Sequence, residues 1–238
     1  MDARPAMATP TLHYIHDPLC GWCYGAAPLV KAARAVLPVQ AHGGGMMAGP
    51  ARRPVTAELR GFVLPHDRRI GQLTAQPFGA AYADGLLRDT AAVLDSEPPI
   101  AATLAADTFD GRGLDMLARL QTAHYVEGRR IAERAVLEQL AEEIGLDREA
   151  FAKALLVAEG EAVQQHIGST RALMRRLHVQ GFPSFALERD GTWDAVDIGP
   201  YFGKPAAFAE WLRREVPDTA TTAPGAAAFQ CGPDHCGV

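Results

Sequence analysis

Cysteine is scarce in this chain, with four residues in 238. Disulfides are therefore excluded as the framework of a protein this long, and the thiols read as reactive groups. Basic charge is also in deficit. Lys and Arg number 23 against 28 Asp and Glu, the net charge is -5 and the pI is near 5.9. No basic face is expected for a nucleic-acid partner. Long apolar runs are missing: no segment approaches about 18 uncharged apolar residues, and residues 1–8 hold no continuous apolar stretch of a signal peptide. These features lead us to expect a cytoplasmic protein with no membrane partner. Hydrophobic residues still make up 48% of the chain, enough for a large core in one domain with an insertion, or in two subdomains.

The most informative stretch is Asp17-Pro18-Leu19-Cys20-Gly21-Trp22-Cys23-Tyr24-Gly25. Leu12 to His16 alternates like a short strand, Asp17-Pro18 supplies turn chemistry, and a helical pattern starts at the cysteines. Cys-x-x-Cys at a strand-to-helix junction reads as a redox pair, because Cys20 faces the unpaired amides and positive dipole end of the helix, where a thiolate is favoured. A zinc half-site and a chance pairing of buried thiols are the competing readings. The zinc reading lacks a nearby second ligand pair, since the next cysteines lie at the far end of the sequence. His16 and Asp17 are the candidates for tuning the Cys20 pKa, against the plainer readings of a strand-end histidine and a turn-capping aspartate.

The helix over residues 24–37 carries Ala27, Val30, Ala33 and Leu37 at helical spacing and stops at Pro38. Val39 to His42 then gives a second strand, predicted to pair in parallel with the first. Gly43-Gly44-Gly45-Met46-Met47-Ala48-Gly49-Pro50 lacks the spacing of a phosphate cradle and is expected to be a flexible wall near the site. Residues 56–158 read as almost wholly helical, with breaks at Pro65, Pro77, Glu97-Pro98-Pro99, Asp110-Gly111-Arg112-Gly113 and Gly145, best-marked helices at 114–127 and 129–144, a C-cap at Gly145 and an N-cap at Asp147. His66, His124 and His166 lack metal-ligand spacing and are expected on the surface or in ordinary hydrogen bonds; no metal site is expected. A helix over 160–177 leads to Gly181-Phe182-Pro183-Ser184-Phe185, where a proline beside a strand pattern must sit at the strand's start or edge. A hairpin through Asp190-Gly191 and a closing helix over 206–216 complete the pattern.

This order of elements, with Cys20-Gly21-Trp22-Cys23 and Gly181-Phe182-Pro183, resembles the DsbA family of thioredoxin-like disulfide oxidoreductases, and its cytoplasmic FrnE-like branch in particular. The resemblance covers about residues 11–215. It implies an α/β thioredoxin-like fold with a large all-helical insertion: residues 11–55 and 160–216 as the thioredoxin-like domain, 56–159 as the insertion and 217–238 as a flexible tail. It further implies Cys20 as the exposed nucleophile, Cys23 as the resolving thiol, a cis bond before Pro183, and Trp22, Phe182 and Pro183 against the substrate. Trp22 stands where periplasmic members carry histidine, which argues for a milder, less oxidising pair.

The tail holds a second dithiol, Cys231-Gly232-Pro233-Asp234-His235-Cys236, read as an auxiliary redox pair exchanging with Cys20 and Cys23; a metal clip with His235 and an idle tail are the alternatives. The expected activity is reduction or isomerisation of protein disulfides without a bound cofactor, with glutathione or a thioredoxin-type protein as electron source. The alternative is a glutathione-dependent small-molecule isomerase or biosynthetic enzyme on the same fold. Retention of both thiols favours dithiol exchange, because the glutathione-using relatives generally replace the first cysteine by serine.

Overall fold

The computed structural model describes residues 9–216. In chain order they form β1 (Thr11–His16), α1 (Gly21–Arg34), β2 (Val39–Gly43), β3 (Arg53–Pro54), α2 (Ala57–Thr74), β4 (Val93–Leu94) and α3 (Glu97–Asp107). Then come α4 (Gly113–Tyr125), α5 (Arg134–Glu143), α6 (Arg148–Ala158), α7 (Glu161–Arg176), β5 (Ser184–Arg189), β6 (Thr192–Val196) and α8 (Pro205–Glu215). The main sheet runs β2-β1-β5-β6. β1 pairs with β2 in parallel, Tyr14 opposite Ala41, as a strand-helix-strand unit requires. β5 and β6 join antiparallel, with Tyr14 opposite Phe185 and Ala186 opposite Ala195. Asp190 and Gly191 both take positive φ, 49° and 78°, the backbone of a two-residue hairpin whose twist matches its strands. A thioredoxin-like α/β fold with a helical insertion is thus what the sequence folds into.

The chain buries two apolar clusters, and the cysteine motif lies across their seam. Leu12, Tyr14, Leu29, Phe185, Leu187, Phe208 and Leu212 pack between the sheet, α1 and α8, together with Cys20 and Cys23. Leu19 and Tyr24, from the same short segment, instead join Ile100, Met116, Leu120, Leu140 and Phe151 under the inserted helices. The two flanks of the motif are committed to one core and the cysteines between them to the other, so neither cluster can slide without moving the cysteines. Each fully buried Leu or Phe contributes about 1.5–3 kcal/mol, which makes such a slide costly. Val163 and Ile167 place α7 on the insertion's core as well.

Several local expectations need correction. β4 falls inside the stretch read as almost wholly helical and pairs with β3, just before that stretch, through Leu94 with Arg53 and Val93 with Pro54; strands of two residues are too short to leave an alternation. Pro65 sits inside α2 instead of breaking a helix. The helix expected over 129–144 begins only at Arg134. Gly128 has φ +66° and a Cβ there would lie 2.2 Å from the Ala81 carbonyl oxygen, so the chain must turn where helical periodicity alone would continue it. Gly145 (φ +84°) and Asp147, whose carboxylate accepts from the Ala150 amide at 2.8 Å, end and start helices as expected.

The glycine run after β2 is packing rather than slack. A Cβ on Gly43 would meet Ile100 of α3 at 2.8 Å, one on Gly44 would lie 2.2 Å from the Phe182 ring, and one on Gly45 would touch Ile167 of α7 at 2.9 Å. The guanidinium of Arg171 donates to the Gly44 and Gly45 carbonyls at 3.1 and 2.7 Å. The loop is a close-fitted wall, not the flexible one expected.

Candidate active site

Cys20 is the N-cap of α1, with extended backbone (φ -91°, ψ 114°), so its side chain stands over the first amides of the helix. The turn feeding it is tight: the Cys20 amide donates to the Asp17 carbonyl at 3.1 Å, and the Leu19 amide to Asp17 Oδ1 at 2.9 Å. The Cys20 thiol donates to the Phe182 carbonyl at 3.4 Å, across 162 positions of sequence. The Phe182–Pro183 bond is cis, and Pro183 stands immediately before β5, at the strand's start. Gly21 is required by the neighbouring helix, since a Cβ would come within 2.9 Å of Asp67 Oδ1 and 3.1 Å of Ile70 Cδ1 on α2.

The two thiols are free and electrostatically unlike. Cys20 is shifted below the ordinary thiol range, first by the Cys23 thiol bonding to its sulfur, then by the Cys23 and Trp22 amides, against the cost of burial. Cys23 is fully buried and pushed well up by desolvation and by its neighbour's charge. The Asp17 amide points at the Cys23 sulfur at 3.5 Å, and the Tyr14 hydroxyl donates to the Cys23 carbonyl at 3.1 Å. One sulfur is prepared to be a thiolate and the other to stay protonated until the first is consumed. Such an asymmetric pair can attack a disulfide and then close on itself.

The expected accessibility of Cys20 needs correction. The residue is 7% exposed, because the Phe182 carbonyl sits against its sulfur. The two pKa-tuning candidates also act otherwise than expected. His16 is buried and driven down to about 3 by desolvation, with the nearby His166 and His42 adding to the shift, so it is neutral at physiological pH and brings no charge to the thiolate. Asp17 is buried and raised to about 6 by desolvation, and its carboxylate disfavours ionisation of Cys20. Its role is a clamp. Oδ1 accepts from the Leu19 amide and the Ser96 hydroxyl (3.0 Å), and Oδ2 from the Met46 amide (2.6 Å), tying the motif to the glycine loop and to the start of α3.

Trp22 is half-buried, edge-on to Phe202 at 5.3 Å, with the Arg69 guanidinium 5.9 Å from its ring centroid. Phe182 and Pro183 are likewise half-buried, and Phe182 fills the space beside Gly44. The structure thus brings Cys20, Cys23 and the Phe182-Pro183 segment together, with Trp22 in the same helical turn. Cys231 and Cys236 lie outside the described residues. Of the histidines, His124 is neither at the surface nor hydrogen-bonded through Nδ1 as expected but buried, its pKa lowered to about 3 by desolvation, whereas His166 accepts from the Gly43 amide at 2.9 Å. Among the described residues no three His, Cys, Asp or Glu are arranged to hold a metal ion. No helix there is long and apolar enough to cross a membrane. Sequence reasoning missed Asp67 and Arg69, which reach the motif from α2; two polar positions in an otherwise ordinary helix carry no signal of what they touch.

The model of the DSBA-like thioredoxin domain matches residues 83–199, a span that excludes the cysteine motif. Over 86% of this chain and 98% of the other, the structure is similar to the cytosolic disulfide reductase DsbM from Pseudomonas aeruginosa, at 56% identity and a TM-score of 0.82. The same reductase solved with GSH matches at 55% identity and a TM-score of 0.81, over 86% of this chain and 98% of that one. A probable DsbA oxidoreductase from Streptomyces coelicolor, at 22% identity and a TM-score of 0.57, covers 98% of this chain and 99% of its own and bears on the fold alone. No curated protein matches the chain. A thiol pair capping a helix beneath a distant proline segment, in a chain more than half identical to a disulfide reductase, leads to one assignment: this protein belongs to the DsbA-like thioredoxin family of thiol-disulfide oxidoreductases.

Proposed function

We propose that the protein reduces disulfides of cytoplasmic proteins through Cys20 and Cys23. The observation that carries this reading is the opposed ionisation of the two thiols at the N-terminus of α1, with Cys20 favoured as thiolate and Cys23 held protonated. The Cys20 thiolate attacks one sulfur of the substrate disulfide, forming a mixed disulfide and expelling the other sulfur as a thiolate. Cys23 then loses its proton and attacks the Cys20 sulfur, releasing the second substrate thiolate and leaving a Cys20–Cys23 bond that holds the two electrons' worth of oxidation. Trp22, Phe182 and Pro183 form the substrate surface, and the Phe182 carbonyl that now receives the Cys20 thiol is free to pair with an extended substrate segment once the thiol ionises.

Two thiols of a glutathione-type donor return the pair to the reduced state; the similarity to a reductase solved with GSH supports this choice of donor. Cys231 and Cys236 serve as a second exchange partner for the pair. Retention of both thiols in the site supports dithiol exchange over the glutathione-dependent isomerisation of a small molecule. Insulin reduction by the wild type and by Cys20→Ser and Cys23→Ser variants tests the reading. Loss of turnover in Cys20→Ser, with a trapped mixed disulfide in Cys23→Ser, is expected. Full activity of Cys20→Ser would overturn it. Scrambled-disulfide refolding separates isomerase from reductase, and a Cys231→Ser variant with undiminished turnover would remove the tail from the cycle.

A further inference from the structure

One side of the site comes from the insertion rather than from the thioredoxin-like elements. Asp67 and Ile70 of α2 crowd Gly21, and Ile70 and Thr74 crowd Gly25, which fixes α2 against the first turns of α1. Asp67 faces inward, where it accepts from the Tyr82 hydroxyl at 3.0 Å. Arg69, two positions on, is exposed, with its guanidinium carbon 5.9 Å from the centre of the Trp22 ring. Among the described residues it has no ion pair within 4.0 Å and makes no hydrogen bond. A guanidinium presents five donors in a planar fork that matches a carboxylate. Here that fork is uncommitted, seated on an aromatic ring inside the Cys-x-x-Cys turn, on a chain whose net charge is -5.

We propose that Arg69 is the receptor for a carboxylate carried beside the exchanging sulfur of a low-molecular-weight thiol or disulfide, so that anionic co-substrates of the glutathione type are selected over neutral or cationic ones. The proposal rests on the reading that Cys20 and Cys23 exchange disulfides. The Cys20 thiolate attacks one sulfur of the anionic disulfide, one half leaves as a thiolate, and Arg69 holds the carboxylate of the half that remains bonded to Cys20. Cys23 gives its proton to solvent and displaces that half as the second thiolate, leaving the Cys20–Cys23 bond. Nothing else is consumed. Arg69 touches substrate but no reacting sulfur, so its effect falls on co-substrate choice and not on the reactivity of the thiols.

The test is the rate at which the reduced full-length protein, with Cys231 and Cys236 changed to Ser, is oxidised by three disulfides and followed by tryptophan fluorescence. Glutathione disulfide is anionic, hydroxyethyl disulfide neutral and cystamine cationic. Arg69→Gln is expected to slow oxidation by glutathione disulfide about tenfold, the effect of one lost charge-assisted contact, while hydroxyethyl disulfide stays within about twofold. Arg69→Glu should deepen the loss with glutathione disulfide and speed cystamine, and Arg69→Lys should keep part of the preference. Added salt should erase the difference between glutathione disulfide and hydroxyethyl disulfide. An equal fall with all three would make Arg69 a mere prop for Trp22 and overturn the proposal, as would an unchanged rate with glutathione disulfide. If the wild-type protein forms no Cys20–Cys23 bond with any of the three, the underlying reading of the pair fails instead, an outcome distinct from a reactive pair indifferent to charge.

Discussion

Asp67 is a carboxyl buried against the motif at a cost that can be measured. It is 5% exposed, has the Tyr82 hydroxyl as its hydrogen-bond donor, and burial raises its pKa from 3.8 to about 6. A folded-state pKa above the unfolded value means that the folded protein binds more protons between the two. The stabilising contribution is therefore fully present below 3.8 and is lost as pH rises through about 6. Above that window the ionised group disfavours folding by up to about 3 kcal/mol, the free-energy equivalent of moving the carboxyl from 3.8 to about 6. At about pH 4.5 the same linkage leaves a cost of about 1 kcal/mol. Asp67→Asn keeps an oxygen for the Tyr82 hydroxyl and removes the charge. Urea unfolding of wild type and variant should show the variant gaining relative stability of about 1–2 kcal/mol between about pH 4.5 and about pH 7.5, once solvent screening at the rim of the site is discounted. Comparing the pair of proteins cancels Asp17, which titrates in the same range in both. A stability difference that is the same at the two pH values would refute the reasoning, and a difference that shrinks toward high pH would reverse its sign.

Cys23→Ala removes the first cause of the low Cys20 pKa, so the pH profile of Cys20 alkylation should move to higher pH, while Cys23→Ser, with a hydroxyl to donate, should move it less; identical profiles in all three proteins would count against the pairing of the thiols. Gly44→Ala places a methyl 2.2 Å from the Phe182 ring, and displacing that residue should lower kcat/KM for insulin reduction by about tenfold or more while alkylation of Cys20 is spared; unaltered kcat/KM would dissociate Phe182 from substrate. Tyr14→Phe deletes the hydroxyl that donates to the Cys23 carbonyl and should cost about 1 kcal/mol in urea unfolding, and an unchanged midpoint would remove that bond from the fold's support.

Local chemistry decided a good part of this protein from the sequence alone. Turn residues at Asp17-Pro18, thiols at a helix start, a parallel strand pair around a crossover helix and the dipeptide Asp190-Gly191 each act within a few residues, so their consequences are legible without a fold. The cis proline segment was legible only through resemblance, since nothing in its composition says what it faces.

What tertiary structure decided is everything that depends on which distant groups share one low-dielectric space. In the sequence, His16 and Asp17 are as consistent with tuning a thiolate at position 20 as with a strand-end histidine and a turn-capping aspartate. Burial leaves the first uncharged and makes the second a clamp between the Leu19 and Met46 amides and the Ser96 hydroxyl. The glycines at 43–45 looked like slack until Ile100, Phe182 and Ile167 arrived beside them. Asp67 and Arg69, more than 40 positions from the cysteines, meet the motif only because α2 docks on α1. Periodicity reports which face of a helix is buried, whereas desolvation and charge act through space, and the sequence holds no distances between groups that only folding brings together.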